Sequence, residues 1–146
     1  MKLAGTIEKI IVDGYERLIY ISFTAIEKKL WCHFIQHEEY LEEGNTSEIL
    51  RVGQNLTFIV GIDLVNDYSV ITKESGIIED VLQPISESSH SIVSATVIEK
   101  EDDYTLICDI EGLGRNIVVE FEEKVNVETG ASLRLKGNLK VDYYAT

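Results

Sequence analysis

The hydrophobic pattern of this chain is written twice. Residues Arg17 to Phe34 lie over Tyr104 to Phe121 without a gap, pairing Ile19 with Leu106, Ile21 with Cys108, Phe23 with Ile110, Leu30 with Ile117, Cys32 with Val119 and Phe34 with Phe121. Within each stretch apolar residues alternate with polar ones, the period of a half-buried β-strand. Both stretches lead to the same glycine phrase, Gly53-x-x-Leu56-x-Phe58 and Gly130-x-x-Leu133-x-Leu135.

The elements follow from this pattern. Gly5 to Val12, Leu18 to Phe23, Leu30 to Ile35, Leu56 to Val65 and Tyr68 to Lys73 read as strands, with a hairpin turn at Asp13-Gly14. Gly61 marks a bulge or kink. His37 to Glu43 is a short acidic helix candidate ended by Gly44-Asn45. Ile78 to Leu82 suits a single helical turn before Pro84. The pattern then restarts with Val93 to Glu99, Thr105 to Ile110, Ile117 to Phe121, Leu133 to Leu135 and Leu139 to Tyr144. The division expected is a first module over 1–76, a linker over 77–91 and a shorter second module over 92–146. Units of this size have small cores, so the halves are expected to pack together.

The glycine phrases carry a resemblance. Gly130-Ala131-Ser132-Leu133-Arg134-Leu135-Lys136-Gly137 resembles the GxxLxxxG phrase that opens the fourth strand of OB-fold proteins; Gly53 to Gly61 fits it with one extra residue. Leu30-Trp31-Cys32-His33-Phe34 is similar to the third strand of the bacterial tRNA-anticodon-like OB group. The resemblance implies a mostly β chain of two tandem OB-like barrels, the first with a short helix between strands three and four. A single β-sandwich is the alternative. Only nine residues follow Gly137, so the second barrel is expected to be incomplete or closed by another segment.

Composition narrows the classes. The chain has 146 residues, 45% hydrophobic and 27% charged, as in a folded soluble domain. No apolar run approaches the roughly 20 residues of a membrane span. The first residues lack a signal-like apolar stretch, which points to the cytoplasm. Cys32 and Cys108 fall on inward positions and read as buried free thiols. Asn45-Thr46-Ser47 and Asn55-Leu56-Thr57 match the glycosylation sequon by chance in that setting. The net charge of −13 is spread over both halves and repels phosphate backbones at long range.

Candidate chemistry lies on the outward positions. In the first copy Tyr20, Ser22, Trp31, His33 and Ile35 point outward, with Lys28 and Lys29 on the adjoining loop. This is the face OB proteins commonly use for ligands, and aromatic side chains there stack bases at roughly 1–3 kcal/mol each. The other reading has Trp31 and Tyr20 covered by the second half or by another copy of the chain. In the second copy Asp109, Glu111, Glu120, Glu122 and Glu123 form a negative strip, either a solvated face or a seat for a basic partner. His33 and His37 lack a third ligand at zinc-site spacing, and no nucleophile elbow, phosphate loop or HExxH occurs.

The sequence therefore reads as a non-enzymatic binding protein without cofactor or metal, its partner a protein, basic or a second copy. Single-stranded nucleic acid or oligosaccharide binding, disfavoured for nucleic acid by net charge, and acidic mimicry of nucleic acid, as in some phage-borne inhibitors, are the alternatives.

Overall fold

The structure is a computed structural model and describes residues 1–71 and 81–144. It is all β, with strands β1 (Lys2–Asp13), β2 (Glu16–Phe23), β3 (Lys28–Ile35), β4 (Asn55–Ile71), β5 (His90–Asp102), β6 (Thr105–Ile110), β7 (Gly114–Phe121) and β8 (Ser132–Tyr144). Eleven of the twelve paired repeat positions are buried, and Phe34 is partly so, packed against Tyr143. Period-two alternation thus places both copies' apolar columns in one contiguous core.

The eight strands form one mixed sheet in the order β1-β2-β3-β8-β4-β7-β6-β5, with further pairings of β1 to β4 and β8 to β5. These close two circuits through two shared strands. The first runs β1-β2-β3-β8-β4 and back to β1; the second runs β5-β6-β7-β4-β8 and back to β5. The expected pair of separate tandem barrels is therefore corrected. The near end of β4 pairs with β1, its middle runs parallel to β7 at Ile62 and Val65, and its far end pairs with β8. The near half of β8 pairs with β5 while its far half reaches β3, in parallel, at Lys140 opposite His33. Leu56 to Val65 and Tyr68 to Lys73, read as two strands, are one strand as far as Ile71, with an irregular register between Asp63 and Asp67; Thr72 and Lys73 lie outside the described residues. That continuity supplies the segment that closes the second circuit.

The recurring glycine phrase has a structural cause. Gly53 and Gly130 take φ of 88° and 90°, a region that favours glycine. Each turns the chain back onto a bulged first strand: Gly53 N–H donates to Ile7 O at 2.7 Å and Gly130 N–H to Val97 O at 2.8 Å. Ile7 and Val97 return the contact, donating to Gln54 O and Ala131 O at 3.0 and 2.9 Å. Both first strands shift register immediately after these residues. The phrase thus docks strand four on strand one in each copy.

The predicted helix over His37–Glu43 does not form. A seven-residue segment is too short to repay helix nucleation by itself. Here Arg17 also takes the Glu39 carbonyl oxygen as a hydrogen-bond acceptor, removing it from any helical ladder. The segment is a loop, bridged to the β1–β2 turn by paired hydrogen bonds between Gly14 and Leu41. Leu50 then plugs the core from this loop, and Val125 does so from the shorter loop of the second copy. The helical turn expected over Ile78–Leu82 falls largely outside the described residues. Among the described residues there is no helix long and apolar enough to cross a membrane, a statement that leaves strands aside.

Candidate functional site

The aromatic face is built as the alternation requires and is then covered. Tyr20 and Trp31 are register partners on β2 and β3, with ring centroids 4.6 Å apart and planes tilted by 31°. Trp31 is only 8% exposed, so its ring offers no open face for a base. Gln83 borders it: Trp31 N–H donates to Gln83 Oε1 at 2.8 Å, and Gln83 Nε2 donates to Trp31 O at 2.7 Å and to Ser91 Oγ at 3.1 Å. One side-chain amide thereby satisfies both backbone groups of a residue at the sparsely paired edge of β3.

The polar members of that face are also engaged. Lys28 Nζ donates to Gly112 O at 2.9 Å, across to the second copy. Lys29, opposite Ser22 in register, sits 3.8 Å from Glu8. His33 Nε2 lies 2.8 Å from Asp63 Oδ1. The structure therefore brings Tyr20, Trp31 and His33 together on one face, but as a packed and internally bonded surface.

The acidic residues of the second copy are spread along the β6–β7 hairpin. Thr105 pairs with Glu120, and Cys108 with Ile117. Asp109 is four residues beyond Thr105 on β6, which places it about 13 Å from the Glu120 end at the rise of a strand. Asp109 and Glu111 lie at one end of the β6–β7 hairpin, and Glu120, Glu122 and Glu123 at the other. Asp109 accepts from Asn116 N–H at 3.1 Å, and Glu120 is held by Lys140 at 2.8 Å.

A groove of about 540 Å³ lies elsewhere, across the ends of the first three strands. Register builds its floor. Ile11 is opposite Leu18, which is opposite His33; one step further out Asp13 is opposite Glu16, which is opposite Ile35. Leu64 in β4, the Glu87-Ser88-Ser89 approach to β5, and Asn138 in β8 complete the wall. Ser89 Oγ donates to Asn138 Oδ1 at 3.0 Å, fixing that side. Leu64 and Glu87 have φ of 54° and 52°, a conformation L side chains adopt rarely. The Leu64 side chain is 50% exposed at this position.

Arg17 is among the residues that line the groove and is 1% exposed. Its Nη1 donates to Gly14 O and Glu16 O at 2.8 and 3.0 Å, and its Nη2 bonds both the carbonyl and a carboxylate oxygen of Glu39. Among the described residues, Arg17 Nε is buried with no hydrogen-bond partner. A hydrogen bond from Ser47 is the main influence holding the Glu39 carboxyl below its usual range; the Glu48 N–H and Arg17 add to it, against the opposing effect of burial. The Arg17 charge is thus matched internally, and the groove surface is left with Asp13, Glu16 and Glu87 around an apolar floor.

Arg17 was legible as an oddity. It occupies an inward position of β2, of the same parity as Ile19 and Ile21, and is a charge in an apolar column. The groove itself had no such signal, because its residues come from strand ends, a bulge and a loop. No group of three or more histidine, cysteine or carboxylate side chains suited to a metal occurs among the described residues. In comparisons with known proteins, no family model and no curated protein matches this chain.

Proposed function

We propose that this chain is a non-enzymatic protein-interaction module whose partner presents a basic surface. The observation that carries the reading is the groove of Ile11, Leu18, Ile35 and Leu64 edged by Asp13, Glu16 and Glu87. Exposed apolar side chains gathered in one place, rimmed by polar groups, are characteristic of contact sites on soluble proteins. The net charge of −13 favours encounter with cationic surfaces and opposes phosphate backbones. The covering of Trp31 speaks for the same choice over base stacking, as does the engagement of Lys28 and Lys29.

At the level of fold, we read the two five-strand circuits as OB-like units that share strands. Five strands per closed circuit, in two copies of one hydrophobic pattern, support that reading. The setting we propose is the cytoplasm, consistent with two unpaired, buried thiols.

The test is a pair of binding experiments, the first of them followed through Trp31, the sole tryptophan. Single-stranded DNA and RNA at low salt are expected to leave a blue-shifted emission unmoved. A lysine- and arginine-rich polypeptide on a sensor surface is expected to bind the chain, with affinity falling as salt rises. Salt-reversible quenching by oligonucleotide, without polypeptide binding, would replace this reading with nucleic-acid binding.

A further inference from the structure

Resting on the basic-partner reading, we infer that the groove between β1, β2, β3 and the Leu64 bulge seats an extended segment of the partner in which apolar and cationic side chains alternate at every second position, so that both kinds face the groove. The register sets out that alternation. Ile11 and Leu18 form one apolar row, and Asp13 and Glu16 form the next row outward, two residues along each strand. A step of two residues along a strand is about 6.7 Å, close to the spacing between like-facing side chains of an extended ligand. Ile35 stands beside Glu16, and Leu64 faces the groove from the other side. An apolar ligand side chain thus meets Ile11, Leu18 or Leu64 where its cationic neighbour meets Asp13, Glu16 or Glu87.

Charge selects this occupant. The guanidinium of Arg17 is consumed by Glu39, and His33 is bonded to Asp63, so neither offsets the three groove carboxylates. A second copy of the chain carries the same net charge of −13 and is repelled. The β1–β2 turn at the end of the groove carries Tyr15, exposed and packed edge-on against Tyr40 at 5.1 Å. Tyrosine is enriched at interfaces and its ring accepts a cation.

Leu64 makes the placement testable. Its left-handed backbone is costly for leucine and free for glycine. Leu64→Gly should therefore leave the melting temperature unchanged or raised while removing a groove side chain. The probe is a fluorescein-labelled nine-residue peptide, Arg-Ser-Leu-Ser-Arg-Ser-Leu-Ser-Arg, which shows arginine and leucine on one face when extended and is read by anisotropy. A peptide with serine in place of each leucine keeps the charge. The arginine–leucine peptide is expected to bind about tenfold or more tightly than the arginine–serine one, the scale of burying an aliphatic side chain. Leu64→Gly and Ile35→Ser are each expected to weaken binding severalfold, and spermidine to compete poorly.

Equal binding by wild type and both variants would remove the segment from the groove while leaving the basic-partner reading intact. Equal affinity for the two peptides, or full competition by spermidine, would do the same by showing charge alone at work. Failure of the arginine–leucine peptide to bind overturns the inference. If oligonucleotide also quenches Trp31, the basic-partner reading falls with it. A concentration-dependent dimer in sedimentation, abolished by Leu64→Gly, would assign the groove to self-association instead.

Discussion

His33 Nε2 lies 2.8 Å from Asp63 Oδ1, and the internal repeat maps this pair onto another. His33 aligns with Glu120 in the gap-free overlap, and Asp63 and Lys140 each stand ten residues beyond the opening glycine of their phrase. Glu120 and Lys140 are themselves paired at 2.8 Å. The two copies therefore make the same cross-strand contact with acid and base exchanged. Both pairs gather where β3, β8, β4 and β7 converge, since Lys140 is also the register partner of His33.

This exchange makes a double-mutant cycle informative. H33E and D63K separately each destroy a complementary pair, and together they restore one in the arrangement of the second copy. The double variant is expected to be more stable than the sum of the singles by about 0.5–1 kcal/mol, the scale of a partly exposed ion pair. Urea denaturation of the four proteins measures it; additive effects would show that the contact contributes nothing.

Arg17 ties the loop after β3 to the β1–β2 turn, so its loss is expected to be severe. Arg17→Met leaves Glu39 and three carbonyl contacts without their donor. The expected cost is about 3 kcal/mol, at the low end for breaking a buried pair by removing one partner. Chemical denaturation checks the magnitude, with Arg17→Lys as the milder comparison.

Glu39 adds a pH dependence of definite sign. Its folded carboxyl is held below the ordinary value of 4.5, so the unfolded chain takes up the proton first as pH falls. Its contribution is therefore complete at neutral pH. It declines from about the ordinary value downward, until the folded carboxyl is also protonated. The stability gap between wild type and Glu39→Gln is expected to narrow between pH 6 and the acid limit of the fold, as reported by thermal melts. A gap independent of pH would show that the carboxylate is not what anchors this loop.

Gly61 and Gly137 lie where β4 and β8 serve both circuits, and they are expected to differ in tolerance. A Cβ at Gly137 would stand 2.7 and 2.8 Å from methyls of Val65 and Ile62 and 2.9 Å from Asp63 O. At Gly61 the nearest atoms are the flexible Lys140 side chain at 3.2 Å and Val118 O at 3.3 Å. Gly137→Ala should cost about 3 kcal/mol by overpacking and Gly61→Ala about 1. Comparable melting temperatures for the two variants would contradict the close approach at Gly137.

The thiols are expected to be silent until the fold opens. Burial pushes the Cys32 thiol up strongly, and burial followed by the Asp109 charge raises Cys108 to about 12. Because the thiolate is the reactive form, a disulfide reagent should label neither cysteine at pH 8 in the native state and both in denaturant. The same elevation stabilises the fold up to the ordinary thiol value of 9.0. That contribution is lost as pH rises beyond it, because the unfolded chain ionises first.

Strand content and core were legible because alternation is local. Ile19, Ile21, Leu106 and Cys108 announce their burial by parity with their neighbours. Trp31 shows the limit of that signal. Parity placed it opposite the inner column, and it is nevertheless 8% exposed, its ring against Tyr20 and its backbone bonded to Gln83. The acidic residues show a related limit: Asp109 and Glu120, grouped from the sequence, stand about 13 Å apart along a hairpin.

Two copies of one module, their inward columns and the glycines that dock strand four on strand one are all local facts, set by side-chain alternation and by φ. The strand that closes each circuit is not. Alternation tells a strand which face to bury but not which neighbour to take. The parallel partners β3–β8 and β4–β7 are distant in sequence, and long-range contacts decide them. Those contacts made β4 and β8 common to both circuits. The same folding brought Leu64 and Asn138 up to the ends of the first three strands to complete a groove written nowhere in the linear pattern.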